Sequence, residues 1–122
     1  MRFLVVDDSR TMRRIIINTL HKLGYKECHE ASNGREGIER LATTPVDMVI
    51  TDWNMPEMSG IEFIRAIRGS ETTKHLPVLM VTTNAAQDDI VQALHAGVNN
   101  CVVKPFTPDT IKDKIEAALR PV

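Results

Sequence analysis

Three acidic residues, a threonine and a lysine are the side chains whose types and positions suggest shared chemistry. Asp7 and Asp8 directly follow one short apolar run, and Asp52 ends another. Thr82 and Lys104 end two later apolar runs. Short apolar runs bounded by turn residues are typical of buried parallel strands. Because the carboxyl ends of parallel strands share one edge of the sheet, we expect these five side chains to converge there.

Carboxylates gathered at one edge repel one another, which favours a bound cation. Two like unit charges about 4 Å apart repel by about 4 kcal/mol at an effective dielectric constant near 20. Oxygen ligands without nearby His or Cys favour Mg²⁺ over Zn²⁺. Since Mg²⁺ keeps positions for water and phosphate oxygens, the pattern indicates phosphoryl chemistry with Asp52 as the nucleophile. Lys104 would then pair with one phosphate oxygen, and the Thr82 hydroxyl would hydrogen-bond another.

Composition and charge argue against several other classes of protein. A chain of 122 residues with 43% hydrophobic residues predicts one ordered domain with a sizeable core. The net charge of -1 and the lack of a long basic run do not predict nucleic-acid binding. No apolar run approaches the roughly 20 residues of a membrane span, and the start does not resemble a signal peptide. Cys28 and Cys101 lack metal-site spacing, so we expect reduced thiols, no disulfide and a cytoplasmic location.

Strands and helices alternate along the chain in a pattern that positions these residues. The strands are predicted at about 3–6, 27–31, 48–51, 77–81 and 101–103, and helices at about 11–23, 35–42, 60–69, 87–96 and after Thr107 or Asp109. Ser9 or Asp8 is expected to cap the first helix, which carries Arg13 and Arg14 on its outer face. Five βα units predict an α/β fold with a doubly wound five-stranded parallel sheet, flavodoxin-like, in the order 2-1-3-4-5. That order places the polar strand 27–31 at an edge.

Several motifs together resemble the receiver domain of two-component response regulators, especially its single-domain chemotaxis members. The matching segments are Val5-Val6-Asp7-Asp8-Ser9, Asp52-Trp53-Asn54-Met55-Pro56, Val81-Thr82-Thr83 and Val103-Lys104-Pro105-Phe106. They occur in the family's order across the whole chain. The resemblance implies a flavodoxin-like fold and a single receiver domain over residues 1–122, without an output domain.

The resemblance also implies a role for each residue of the site. Asp52 would be the phosphoacceptor. Mg²⁺ would be held by oxygen ligands from Asp7 (largely through water), Asp8, Asp52 and the Asn54 backbone carbonyl. Thr82 would be the switch hydroxyl and Lys104 the phosphate partner. The Lys104-Pro105 peptide bond would be cis, which proline alone makes inexpensive.

The function implied by the resemblance is a phosphorylation switch rather than an enzyme with an external substrate. A sensor histidine kinase would phosphorylate Asp52, and the protein would lose the phosphate slowly by its own hydrolysis. The output would be protein binding, with the flagellar motor switch protein as the expected partner in chemotaxis. We expect a monomer that binds neither nucleic acid nor membrane, and a dedicated phosphatase is a further candidate partner.

Two positions depart from the family pattern. An aromatic residue usually stands three residues before the lysine, where this chain has Cys101. Because cysteine has no ring that could swing inward, the sequence does not indicate how phosphorylation would change the protein surface. Asn84 stands where the chemotaxis members often have Glu. That position lies beside the phosphate and bears on how fast phosphate is lost.

Three other functions remain open. A hydrolase with an aspartyl nucleophile would usually need a second acid two residues later, where Asn54 stands. A flavodoxin-type cofactor binder would need a Ser-, Thr- and Gly-rich loop after the first strand, where Asp7-Asp8 would repel phosphate. A receiver that acts as a constitutive docking module would bind its partner without phosphorylation.

Overall fold

The computed structural model describes residues 1–83 and 87–119, which alternate five strands and five helices. The strands are β1 (Arg2–Val6), β2 (Glu27–Ala31), β3 (Met48–Asp52), β4 (Val78–Thr82) and β5 (Asn100–Val103). The helices are α1 (Arg10–Lys22), α2 (Gly34–Thr43), α3 (Gly60–Arg68), α4 (Gln87–Ala96) and α5 (Pro108–Leu119). Every expected element is present, and the ends predicted from the sequence differ from these by at most one residue.

The strands form one parallel sheet in the order β2-β1-β3-β4-β5, which confirms the predicted fold class and strand order. All five residues of β4 are buried, as are the apolar residues of β1 and β3. Consecutive apolar residues suit these strands because helices cover both faces of the sheet. The polar strand β2 lies at an edge, as its composition predicted.

The two faces of the sheet carry separate hydrophobic layers. Successive residues of a strand point to opposite faces, so Leu4 and Val6 pack on one side while Phe3 and Val5 pack on the other. The first layer includes buried residues of α3 and α4, and the second includes those of α1 and α5. Burial of both layers fixes the strand register, which in turn fixes where each strand ends.

Local capping contacts decide where the helices begin. The Ser9 hydroxyl accepts the Met12 N–H at 3.1 Å, so Ser9 is the N-cap of α1. The Thr107 hydroxyl accepts the Thr110 N–H at 3.2 Å and caps α5 in the same way. Gly24 follows α1 with a φ of 97°, a left-handed conformation that favours glycine.

The cysteines and the helix lengths bear on two further expectations. Cys28 and Cys101 are both free and lie in β2 and β5, the opposite edges of the sheet. This separation keeps the two cysteines from bonding to each other within the chain, in line with the expectation from the sequence. Within residues 1–83 and 87–119, no helix is both long enough and apolar enough to cross a membrane.

Candidate metal and phosphoryl-transfer site

The pairing of the strands brings the first two acidic positions together. Val6 at the end of β1 pairs with Thr51 of β3. Asp7 and Asp52, the next residues on each strand, therefore emerge side by side at the carboxyl edge of the sheet. These two carboxylates are far apart in sequence, and only the parallel pairing of β1 with β3 makes them neighbours.

The remaining two positions come from the other half of the sheet. Val103 pairs with Thr82 across β4 and β5, so Lys104 emerges next to the end of β4. The Lys104 N–H donates a hydrogen bond to the Thr82 carbonyl at 2.8 Å, which ties the two strand ends together. The Lys104-Pro105 peptide bond is cis, as the resemblance implied.

Three carboxylates form a cluster whose oxygens lie close enough to share one metal ion. One oxygen each from Asp7, Asp8 and Asp52 lies within 4.8 Å of the other two. Asp7 is buried, Asp52 is half-buried and Asp8 is exposed, so the cluster opens toward solvent on the Asp8 side. An all-oxygen set with an open side suits a hard cation that keeps part of its water shell, such as Mg²⁺.

Asp7 is the most buried member of the cluster, with 2% of its surface exposed. Its Oδ1 accepts the Ser9 N–H at 2.8 Å, whereas its buried Oδ2 has no hydrogen-bond partner among the described residues. Burial raises the pKa of Asp7, and the charge of Asp52 raises it further against the lowering effect of the Ser9 N–H and of Lys104. A buried carboxylate oxygen without a hydrogen bond is costly, so this site is suited to an added cation.

Asp52 is held from two directions. Its Oδ1 accepts the Trp53 N–H at 2.8 Å and lies 3.5 Å from the Lys104 ammonium nitrogen. The same nitrogen lies 3.7 Å from Asp7 Oδ2, so Lys104 stands between the two carboxylates. One ammonium against the three carboxylates of the cluster leaves an excess of two negative charges. A single divalent cation would balance that excess.

The structure gives the positions of two other expected site residues, Asn54 and Thr82, but does not test their roles. Asn54 is exposed in the loop after β3, two residues beyond Asp52, and its carbonyl as a metal ligand stays a prediction. Thr82 is buried at the end of β4, and its role as the switch hydroxyl likewise stays a prediction. Asn84 lies outside the described residues.

Cys101, the residue in place of the family's aromatic ring, belongs to the core. It is 9% exposed and pairs in register with Met80 of β4. Burial raises the pKa of its thiol, against a lowering effect of the nearby Lys114 charge. A small neutral side chain therefore occupies the hydrophobic core at this position of β5.

Two residues that support the site were not identified from the sequence. Gly60, read only as the start of a helix, donates its N–H to the Trp53 carbonyl at 2.7 Å. A Cβ at Gly60 would clash with the Asp52 carbonyl oxygen and lie 2.8 Å from Trp53 Cα. Arg13 was expected on the outer face of α1, but only 14% of its side chain is exposed and it reaches the Asp7 carbonyl. Arg14 is exposed, as expected.

Comparison with known proteins identifies one family over nearly the whole chain. The family model described as the response regulator receiver domain matches residues 3–116. The Helicobacter pylori chemotaxis protein CheY1 is 49% identical over 98% of this chain and 97% of its own length. The Pseudomonas aeruginosa chemotaxis protein CheY is 52% identical over 95% and 94%.

Solved structures agree with the sequence relatives. The chemotaxis response regulator CheY4 of Vibrio cholerae superposes with a TM-score of 0.89 at 35% identity. That match covers 97% of this chain and 98% of the other. The resemblance found in the sequence, including its likeness to the chemotaxis members, is thereby confirmed.

Proposed function

This chain belongs to the response regulator receiver domain family, and on that basis we propose that it is a chemotaxis switch controlled by phosphorylation of Asp52. The observation that carries the proposal is the convergence of three carboxylates and one lysine at the carboxyl edge of the sheet. We propose that residues 1–122 act as one receiver domain in the cytoplasm and signal by binding another protein.

Asp7, Asp8 and Asp52 would hold Mg²⁺, together with the Asn54 carbonyl. Support comes from the all-oxygen donors, the excess of two negative charges and the buried Asp7 oxygen that lacks a hydrogen bond to any described residue. When bound, the ion would offset negative charge on the phosphoryl oxygens during transfer. The buried position of Asp7 and the exposed position of Asp8 give the cluster a fixed inner side and an open outer side.

Asp52 would act as the nucleophile. The Trp53 N–H occupies Oδ1 at 2.8 Å, which leaves the other carboxylate oxygen to attack phosphorus. An O–P bond forms as the bond from phosphorus to the donor histidine nitrogen breaks, and that electron pair returns to the imidazole. The donor would be a sensor histidine kinase. Later attack by water would return Asp52 to its free form, so the protein catalyses only its own uptake and slow loss of phosphate.

Lys104 and Thr82 would bind oxygens of the phosphoryl group on Asp52. Lys104 already lies 3.5 Å from Asp52, so its ammonium can pair with a phosphoryl oxygen with little movement. Thr82 ends β4, and a shift of its hydroxyl toward the phosphate would pull the segment that leads into α4. Moving a two-state equilibrium from 1:99 to 99:1 takes about 5.5 kcal/mol. Two or three charge-assisted hydrogen bonds of about 1.5–3 kcal/mol each can supply it.

The output surface would be formed by α4, β5 and α5. These three elements carry four large apolar side chains that are substantially exposed, namely Val91, Leu94, Val103 and Leu119. Exposed apolar side chains on neighbouring elements suit a protein-binding face. We propose the flagellar motor switch protein as the partner of the phosphorylated state, which would make the chain a regulator of flagellar rotation.

Labelling with acetyl phosphate tests the proposed chemistry. In the presence of Mg²⁺, intact-mass spectrometry should detect one added phosphoryl group on the wild type and none on Asp52→Asn. Asp47→Asn is the matched control, since Asp47 lies at the opposite end of β3 and pairs with Arg2. Labelling of Asp52→Asn to the wild-type level would remove Asp52 from its proposed role.

The proposed partner is tested separately. Beryllofluoride, a mimic of the acyl phosphate, should increase capture of the purified motor switch protein by the wild-type chain but not by Asp52→Asn. Equal capture with and without beryllofluoride would favour constitutive docking instead.

A further inference from the structure

We propose that Arg13 is a positioning residue that holds the Asp7-Asp8 corner in the geometry required for cation binding. This inference rests on the proposed Mg²⁺ site but assigns a role to a residue that makes no contact with the ion. Arg13 lies in α1, between the end of β1 and the edge strand β2, and its side chain is mostly buried.

The guanidinium of Arg13 joins two strand ends. Its Nη1 donates to the Asp7 carbonyl oxygen at 2.6 Å, and its Nε donates to Glu30 Oε1 at 3.0 Å. One acceptor directly follows β1 and the other lies in β2, so only a long, planar side chain with several donors can serve both at once. Glu30 keeps the guanidinium turned inward, and the guanidinium holds the carbonyl.

Three of the four hydrogen-bonding atoms of Asp7 have hydrogen-bond partners in the part of the chain that the structure describes, and Oδ2 is the exception. Its N–H donates to the Ala31 carbonyl at 3.1 Å, its own carbonyl accepts from Arg13, and its Oδ1 accepts the Ser9 N–H. Among the described residues, Oδ2 is the atom left without a hydrogen bond. The Arg13 contact thus helps to present to the site, in a fixed orientation, a carboxylate oxygen that has no hydrogen bond within residues 1–83 and 87–119.

Arg13 acts by geometry rather than by its charge. Its contact with Asp7 is to the backbone carbonyl oxygen, and its ion pair is with Glu30, which is not one of the three carboxylates of the cluster. A lysine at this position would keep the charge but could not bridge the Asp7 carbonyl and Glu30 in the same way.

The neighbouring arginines provide an internal comparison. Arg10, Arg14 and Arg40 line the same cleft between α1 and α2 as Arg13. All three are exposed, and in residues 1–83 and 87–119 none of them makes an ion pair or a hydrogen bond through its side chain. Arg14 adjoins Arg13 on α1 and carries the same charge, so Arg14→Gln is a matched control for Arg13→Gln.

Mg²⁺ affinity is the first readout. The single tryptophan, Trp53, adjoins Asp52, so its fluorescence is the first measurement of Mg²⁺ binding and calorimetry is the second. Changes to residues that orient metal ligands typically lower metal affinity by about 10-fold or more. We expect a loss of about 10-fold for both Arg13→Gln and Arg13→Lys, and no change for Arg14→Gln. Wild-type affinity in Arg13→Lys would show that charge is sufficient and would overturn the proposal.

Amide hydrogen exchange in EDTA supplies a readout that does not depend on the metal. Exchange of the Asp7 N–H should accelerate in both Arg13 variants, while the Val49 N–H, bonded to the Pro77 carbonyl at 3.0 Å, should stay protected. Equal acceleration at both amides would indicate general destabilisation and overturn a positioning role. If the wild type bound no Mg²⁺, the proposed function would fail and this role with it; if the wild type bound and Arg13→Gln bound equally well, only the role of Arg13 would fail.

Discussion

The ammonium nitrogen of Lys104 lies 3.7 Å from Oδ2 of Asp7, the buried oxygen that has no hydrogen-bond partner in the described part of the chain. At that separation the two groups attract by charge but do not form a hydrogen bond. Lys104 is also 3.5 Å from Asp52, so its charge is divided between two carboxylates. In the metal-free site, the negative charge of the carboxylates is therefore only partly balanced by Lys104, and this imbalance has measurable consequences.

Asp7→Asn should stabilise the metal-free protein at neutral pH. Burial raises the pKa of Asp7 above its ordinary value of 3.8, so the charged form of Asp7 is less favourable in the folded state than in the unfolded state. A raised pKa contributes stability below the unfolded pKa, and this contribution is lost as the pH rises through the folded pKa. Removing the charge should therefore add about 0.5–2 kcal/mol to the free energy of unfolding at pH 7. Urea unfolding in EDTA from pH 3 to pH 8 measures it, and the gain should shrink toward the acid end.

Asp47→Asn is the control with the opposite sign. The backbone and side-chain hydrogen bonds from Arg2 lower the pKa of Asp47 below its ordinary value. That contribution to stability is present above the unfolded pKa and is lost as the pH falls through the folded pKa. The variant should be slightly less stable than the wild type at pH 7 and equal to it at low pH. If Asp7→Asn had the same pH profile as this control, the account of the buried carboxylate would be wrong.

Mg²⁺ should raise the melting temperature of the wild type, and chelation should reverse the effect. A ligand that binds only the folded state adds about 2.7 kcal/mol at 100 times its Kd. Asp8→Asn should weaken this response while leaving the melting temperature in EDTA nearly unchanged, because Asp8 is exposed. Thermal unfolding followed by circular dichroism, with and without Mg²⁺, provides the measurement. A full Mg²⁺ response in the Asp8 variant would exclude Asp8 as a ligand.

Lys104→Arg should accept phosphate but fail to transmit the signal. Only 17% of the Lys104 side chain is exposed, and it fits between two carboxylates as a compact charge. The larger planar guanidinium keeps the charge but cannot take the same position beside the phosphoryl group. Intact-mass labelling should therefore stay within a few-fold of the wild type, while capture of the motor switch protein in beryllofluoride falls. Undiminished capture would contradict a role for Lys104 in the switch.

Gly60→Ala should destabilise the protein and distort the end of β3, which carries Asp52. The added Cβ would clash with the Asp52 carbonyl oxygen, and overpacking of this kind costs about 1–3 kcal/mol. Gly69→Ala at the other end of α3 is the control, because Gly69 has a right-handed conformation and its nearest contact would be 3.3 Å. Urea unfolding and the rate of acetyl phosphate labelling should both change in the first variant much more than in the second.

The residues at the strand ends could be predicted because burial and strand pairing follow the apolar pattern. Asp7, Asp52 and Lys104 come together once the order of the parallel strands is known, and that order follows from the βα repeat and the polar edge strand. The inward position of Arg13 could not be predicted in this way. Helical periodicity assigns a face by polarity, whereas a long side chain can bury its stem and still place a charged end on a distant acceptor. The role of Gly60 depends on how closely α3 approaches β3, which no local pattern encodes.

The position of Lys104 after β5 has a consequence for biosynthesis. During translation, the ribosome releases β1 and β3, and with them all three carboxylates, well before it releases β5 and Lys104, which supplies the positive charge between them. A nascent chain at that stage has an acidic corner with no ammonium beside it and no completed sheet to hold it. If Asp52 accepts phosphate as proposed, this competence also requires the release of β5 and Lys104, and nascent chains that end before Asn100 should not be phosphorylated by the kinase.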